Sequence, residues 1–505
     1  MKLFSTLLLC SLACSLLAQE EDALVIDAKH ANYNGKTITM DGHVVVEHSL
    51  GTMTAEHMVL ESIPTAGKNQ FGLLDMNDQV CIVFKSGGTL SCAHAIVDYQ
   101  ERTGSFFGGA GGGNVVFTES RRDKKDESAF LIVSSKEMTA NLSKDDAAGT
   151  NGHVTINDII AQDHVNVSYN REYMAKSDRA VYQRQDIPGE KSDQALQGKV
   201  VMSCDSPERL CEIVTQAGDL VRSVQIHIDT NERLLTLTHP RGTLKAGRES
   251  EIAISADRLL WDDNKGILTL RRAVEINQLG IGKLEAEDEV RLIQHTVDGQ
   301  KIFCCVEAQG ETVLTYHDED TNLSHVLTSH GPITIDHQKR ETRMISPQEP
   351  DGEVHDDKQI CFQDSRGEIF ADKVLLKYDY PDRKLVPAQL ILAGNVKIFN
   401  RLPSAESDES IVRQYVLADR VDFYPRTKEM RLKASKNKRV LLYDKENNLE
   451  VSAPSLKIIR DRATKKESIQ GFGDVRFSLV ESEFEQLRRK FSLDRGESET
   501  EKPSL

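Results

Sequence analysis

The chain has 505 residues, 28% of them charged, and a formal net charge of −16. That length has room for roughly three domains of ordinary size. The acidic balance leaves no cationic stripe of the kind that grips nucleic acid, so that class of partner is set aside.

The first eighteen residues, MKLFSTLLLCSLACSLLA, place Lys2 before an apolar run from Leu3 to Leu17 and end on the small Ala18. They read as a cleaved secretory signal, too short for a membrane span. A lipoprotein signal with Cys14 as the acylated residue is the rival reading, with Ser11 where Leu is usual. An uncleaved anchor is the third. On each reading the chain leaves the cytoplasm, with a periplasmic destination, outer-membrane association or lipidation included. Removing Lys2 makes the mature charge −17. No later segment approaches the roughly 18 consecutive apolar residues of a spanning helix.

From there one phrase recurs along the chain, with apolar or small residues separated by steps of two, three and two. In order it runs Ile26, Ala28, Ala31, Tyr33; then Met53, Ala55, Met58, Leu60; then Leu90, Cys92, Ala95, Val97; and Ala175, Ser177, Ala180, Tyr182. It continues as Ile254, Ala256, Leu259, Trp261; Ile369, Ala371, Val374, Leu376; Val416, Ala418, Val421, Phe423; and Val451, Ala453, Leu456, Ile458. A step of two is a strand with one face buried. A single step of three keeps that face buried only if one extra residue is inserted, as at a bulge or a corner. Each copy therefore predicts a strand that turns a corner, with a small residue at the crowded bend and an acidic one after it on the exposed side.

A second phrase, Gly-polar-Val-x-apolar, lies between the copies: at Gly42, Gly113, Gly152, Gly198, Gly394 and Gly473. Its glycine predicts the start of a strand after a turn. Together the phrases form a degenerate internal repeat, with no clean copy between Ala286 and Ala371. Breaks fall at charged stretches: 119–128 as a solvated loop, 183–194 between modules, and 336–359 as the best linker. The expected organisation is a signal at 1–18, β-modules at 19–183, 195–336 and 360–479, and a C-terminal segment at 480–505. That last segment begins with a short helix carrying Phe484, Leu487 and Phe491 on one stripe, followed by a disordered tail.

Chemistry is sparse. Gly108–Gly113 is followed by a strand-like NVVFTE rather than a helix, so it is a hairpin loop and not a phosphate cradle. Asp318–Asn322 imitates the start of a calcium loop but lacks its central glycine and terminal glutamate. The fifteen histidines show no metal-ligand spacing, and no serine has a nucleophile's context. No catalytic residue, metal or cofactor is expected, and the chain is not read as an enzyme. Seven cysteines follow the signal; Cys204 and Cys211 bracket DSPERL, and Cys81 and Cys92 bracket a longer turn, so either pair could close a small loop in an oxidising compartment. All seven could equally be small buried apolar residues.

The stretch from Ala28 to Glu61, two corner phrases around the Gly42 phrase behind a signal, resembles the opening of the OstA/LptA-like family of periplasmic lipopolysaccharide-transport proteins. The likeness recurs at Gly152, at Gly394 with LADRVDFY, and at Gly473, so it covers most of residues 24–479 through short phrases. The resemblance implies an all-β fold, an elongated β-jelly roll of two facing antiparallel sheets with a hydrophobic groove between them and open edges that pair with other transport-bridge proteins. It implies a periplasmic bridge protein carrying lipopolysaccharide, or another envelope lipid, toward the outer membrane. The chain departs from the family in length, being about three times a single-module bridge protein, and in lacking the outer-membrane barrel of the larger members. Strand parity nominates the groove residues as Ala55, Met58, Leu60, Ile254, Ala256, Leu259, Trp261, Ile369, Val374, Leu376, Val421 and Phe423. The other readings are a structural or adhesive cell-surface β-repeat protein closed on a dry core, and a carbohydrate-active β-repeat enzyme, for which a single Trp is thin support.

Overall fold

In a computed structural model the corner phrases do what their spacing requires. Met53, Ala55, Met58 and Leu60 lie in one strand, Gly51–Thr65, and all four are buried. Residues 51–54 of that strand pair with 81–84, while 57–65 pair with 68–77, and the register shifts between Thr54 and His57. The same division holds in Thr89–Asp98, Tyr173–Arg184 and Ile411–Tyr424. Elsewhere the corner breaks the strand. Gly367–Ala371 and Lys373–Asp379 are separated by Asp372, and Leu449–Ala453 and Ser455–Arg460 by Pro454.

The structure describes residues 25–478, apart from 49, 66–67, 86–87, 123–127, 145–153, 185–197, 246–250, 279–281, 298–299, 319–322, 351, 353, 380–385, 403–410, 446–448 and 461–466. The expected signal and C-terminal helix lie outside the described residues. Those described form an all-β chain of forty strands joined antiparallel into one hydrogen-bonded network, with a single short 3-10 turn at Asp356–Lys358. Contacts divide the chain into two compact units: residues 1–242 with 259–265, and residues 243–258 with 266–505.

Within each unit the pairings form two parallel runs of strands, which we call the first and second ladders. In the first unit the first ladder passes through residues 37–41, 57–61, 73–77, 94–98, 103–107 and 137–141. The second passes through 44–48, 51–54, 80–83, 89–91, 115–118 and 131–134. Each corner carries the chain from one ladder to the other while the same face stays apolar, so both ladders turn that face inward. Ring contacts bridge the ladders there. Phe117 meets Tyr182 at 5.5 Å, and Tyr173 meets Trp261 edge-on at 5.6 Å.

The glycine phrase has a different role from the expected strand start at two of its copies. Gly42 (φ 81°) and His43 (φ 53°) lie inside the strand Thr37–His48, and Gly394 (φ 75°) and Asn395 (φ 40°) lie inside Val386–Leu402. Both pairs coincide with register shifts against the neighbouring strand. Two consecutive left-handed residues swing the chain from the first ladder to the second. Asp78–Gln79, Asp163–His164 and Arg272–Ala273 make the same turn without glycine. At Gly113 and Gly198 the expected strand start holds: strands begin at Val115 and at Gly198 itself.

The acidic residue after the bend, expected on the exposed side, is buried at Asp178 and half-buried at Asp419, and at both it is a cap. Asp178 accepts the Asp205 amide at 3.2 Å and pairs with Arg209 at 2.9 Å, and Asp419 accepts the Ser435 amide at 2.6 Å. Corners expose backbone donors that no ladder satisfies, and a short carboxylate supplies the acceptor.

Two expected breaks are corrected. The stretch 119–128 is not all loop, because Val115–Arg122 and Ser128–Ser135 are paired strands. The 336–359 linker contains Glu341–Ile345, which pairs with Ile333–Asp336 on one side and Lys373–Asp379 on the other. Only Thr342 and Met344 of that strand point inward and are buried, too short an alternation to stand out among its charges.

Candidate functional site: an accessible apolar interior in the second unit

The interior can be followed across strands by register. On the first ladder of the first unit, Met40, Met58, Met76, Ala95, Phe106 and Met138 are successive partners beside the corners. One step farther out, Leu60, Leu74 and Val97 follow one another. All nine are 2% exposed or less. The second ladder matches them with Val46, Met53, Ile82, Leu90, Phe117 and Val133. These too are buried, so solvent does not enter the interior at these positions.

The second unit begins in the same way and then changes. Beside the corners of its first ladder, Ala308, Ile333, Met344, Val374, Leu392, Val421, Leu432 and Leu456 are successive partners and buried. In the next layer Leu268 and Leu292 are sealed, but Val306 and Ile335 are half-buried. After the buried Thr342, the half-buried row continues through Leu376, Leu390, Phe423, Met430, Ile458 and Ile469. The second ladder shows the same change. Ile254, Ile276 and Leu284 are buried, whereas Leu314, Leu327, Phe362, Ile369 and Ile398 are half-buried. Behind those five, beside the corners, stand Thr312, Ser329, Ile360, Ala371 and Val396, most of them small.

The twelve residues nominated by parity separate accordingly. Ala55, Met58, Leu60, Leu259 and Trp261 lie in the dry interior of the first unit, and Ile254, Ala256, Val374 and Val421 in the buried part of the second. Ile369, Leu376 and Phe423 border the solvent-accessible apolar surface. The residues missed are the cross-strand partners of these three: Leu390 between Leu376 and Phe423, and Phe362 and Ile398 on either side of Ile369. Their alternation was visible, but their neighbours across the ladder were not.

The edge of this interior is polar and aromatic. His325 stacks between Tyr316 at 6.1 Å and Phe362 at 5.5 Å, with Nδ1 3.3 Å from the Asp364 carboxylate. On the first ladder the Tyr378 hydroxyl meets His337 Nδ1 at 3.2 Å. Burial pushes the His337 imidazole below its usual pKa, with Asp336 opposing the shift, so it is neutral at pH 7. Farther along the second ladder Asn400 Nδ2 donates to Gln414 and Gln414 Nε2 to Asp444. An apolar lining below a rim of amides, hydroxyls and imidazoles suits a ligand with a long hydrocarbon part and a polar end.

In the first unit the polar groups are structural. The Tyr173 hydroxyl donates to Asp263 at 2.8 Å, and Arg233 pairs with the same nearly inaccessible carboxylate at 2.7 Å. Burial and the neighbouring Asp263 together keep the Tyr173 phenol protonated. Cys204 and Cys211 are free thiols with their sulfurs 3.8 Å apart. Among the described residues no three His, Cys, Asp or Glu side chains are grouped to hold a metal. No protein-family model matches the chain, and no curated protein matches it.

Proposed function

We propose that the protein is a periplasmic lipid-binding bridge protein of the OstA/LptA-like kind. On this reading it carries the acyl chains of lipopolysaccharide, or of another envelope lipid, in the interior of its second unit. The observation that carries the reading is the change from sealed to accessible apolar side chains at Val306 on the first ladder and at Leu314 on the second. Each methylene moved from water into such a lining contributes about 0.8 kcal/mol, so one acyl chain of ordinary length is worth roughly 8–10 kcal/mol before the cost of ordering it. The terminal strands support pairing with bridge partners: Val25 and Tyr33 at one end, and Phe472 and Phe477 at the other, are more than half exposed on edge strands. The dry core of the first unit favours a second reading, a structural or adhesive β-repeat protein without cargo.

A photo-crosslinking amino acid at Leu390 or Phe423 separates the two readings. With lipopolysaccharide supplied, the lipid reading expects adducts at both positions and background labelling at the sealed Leu74 and the exposed Lys433. Equal labelling at all four sites refutes it and leaves the structural reading.

A further inference from the structure

One side-chain pair in the first unit is placed for chemistry that the lipid reading does not use. The strand Gly198–Ser203 pairs with residues 179–184 of Tyr173–Arg184, and Cys211–Thr215 pairs with residues 173–176 of the same strand. Between them the chain crosses from the first ladder to the second. Here the crossing is neither a pair of left-handed residues nor an unbroken bent strand, but a loop over residues 204–210. Asp178, at the bend of the facing strand, holds this loop through the Asp205 amide and the Arg209 guanidinium. Its two ends are Cys204, half-buried, and Cys211, fully buried, with sulfurs 3.8 Å apart. Thiols in van der Waals contact are within a side-chain rotation of the ~2.05 Å bond.

We infer that Cys204 and Cys211 form a disulfide when the folded chain meets an oxidising thiol–disulfide couple, stapling this loop crossing at its two ends. The accessible Cys204 reacts first. Its thiolate attacks one sulfur of a small disulfide such as oxidised glutathione, breaking that S–S bond; a mixed disulfide forms and one glutathione thiolate leaves and takes up a proton. Cys211 then loses its proton to solvent and attacks the Cys204 sulfur, and the second glutathione leaves as its thiolate and is protonated. Two protein thiols are oxidised by two electrons, and one glutathione disulfide is reduced to two thiols. Burial pushes the Cys211 thiol up to about 12, so the second step is the slow one and quickens as pH rises. In a reducing compartment the pair stays as the dithiol. The inference is independent of any lipid.

Trypsin offers a direct test, because it cuts after Arg209 and puts the two cysteines in different peptides, residues 200–209 and 210–222. The full-length protein is equilibrated with reduced and oxidised glutathione at a poise of about −200 mV, near that of an oxidising secretory compartment. It is then unfolded, alkylated and digested without reductant. The expected product is the two peptides joined, separating only after reduction. Reductant should also lower the melting temperature of the wild type by about 5–10 °C, the effect of an eight-residue closed loop, and leave the Cys204→Ser/Cys211→Ser protein unchanged. Recovery of both peptides singly alkylated, or of either joined to another cysteine, overturns the inference.

Discussion

Placing a single methyl group at Gly394 tests whether the corners are held by backbone conformation. Gly394 and Asn395 are both left-handed, inside an otherwise extended strand. A β-carbon at Gly394 would stand 2.4 Å from Asp372 Oδ2 and 2.8 Å from its Cβ. The left-handed conformation alone costs a non-glycine residue about 1–2 kcal/mol. Moving the Asp372 carboxylate away deprives the buried Gln359 of the bond from its Nε2 to Oδ1, which spans 2.7 Å, and adds about 1–2 kcal/mol. Gly394→Ala should therefore destabilise the second unit by about 2–4 kcal/mol, a fall in melting temperature of roughly 5–15 °C for a unit of this size. Calorimetry and urea titration measure it. Gly111→Ala, where no atom lies within 4 Å of the added carbon, should leave stability within about 0.5 kcal/mol of wild type. Part of the Gly394→Ala penalty is a clash with Asp372, so the Asp372→Ala/Gly394→Ala protein should lose less than the sum of the single variants. A Gly394→Ala protein as stable as wild type, or strict additivity, would refute the account of the corner.

Two further outcomes follow from a buried phenol and a capping carboxylate. Tyr173→Phe removes a phenol that donates to the nearly inaccessible Asp263, and chemical denaturation should show a loss of about 1–3 kcal/mol with the fold retained by circular dichroism. Burial works against ionisation of Asp419, but the Ser435 amide and hydroxyl and Lys438 outweigh it and hold the carboxyl below the usual range. A depressed folded-state pKa stabilises above the unfolded value and stops doing so as pH falls through the folded one. Asp419→Asn should thus be less stable than wild type at pH 7, with the gap closing below about pH 4 as the wild-type carboxylate protonates. A gap constant from pH 7 to pH 2 would show that charge at Asp419 has no part in it.

What could be read from the sequence was whatever solvent enforces. A strand that crosses between two ladders must keep its apolar face inward, so Met53, Ala55, Met58 and Leu60 betray the corner by spacing alone. The opposite crossing is set by backbone conformation and leaves a weaker trace. Gly42 and Gly394 are visible but look like turn residues, while Asp78–Gln79 and Asp163–His164 adopt the same conformation with nothing in their identity to announce it. The capping role of Asp178 and Asp419 depends on amides 27 and 16 residues away, which spacing within one strand does not reveal. The candidate site was legible to the same extent. Parity placed Ile369, Leu376 and Phe423 on the inner face, but whether an inner face is filled depends on the residues registered beside it.

Side-chain volume beside the corners accounts for the difference between the two interiors. In the first unit that layer of the first ladder repeats methionine, at Met40, Met58, Met76, Met138 and Met202, with Phe106 and the small Ala95, Ala161 and Ala180 among them. Methionine is long, unbranched and flexible, so it reaches across the space between ladders and fills irregular gaps from either side. In the second unit the same layer is Ala308, Ile333, Val374, Leu392, Val421, Leu432 and Leu456, with Met344 its one methionine, and the facing ladder supplies Thr312, Ser329, Ile360, Ala371 and Val396. Short and β-branched side chains stay close to their own ladder. The larger residues one layer out, Leu390 and Phe423 on one side and Phe362 and Ile398 on the other, are then left with surface that no partner side chain covers. A dry, tightly packed interior and an accessible apolar one can therefore be built on the same corners and the same strand alternation. The two differ next to the corners in the recurrence of methionine, frequent in the first unit and single in the row of the second, and it is at those positions that the repeat departs from itself.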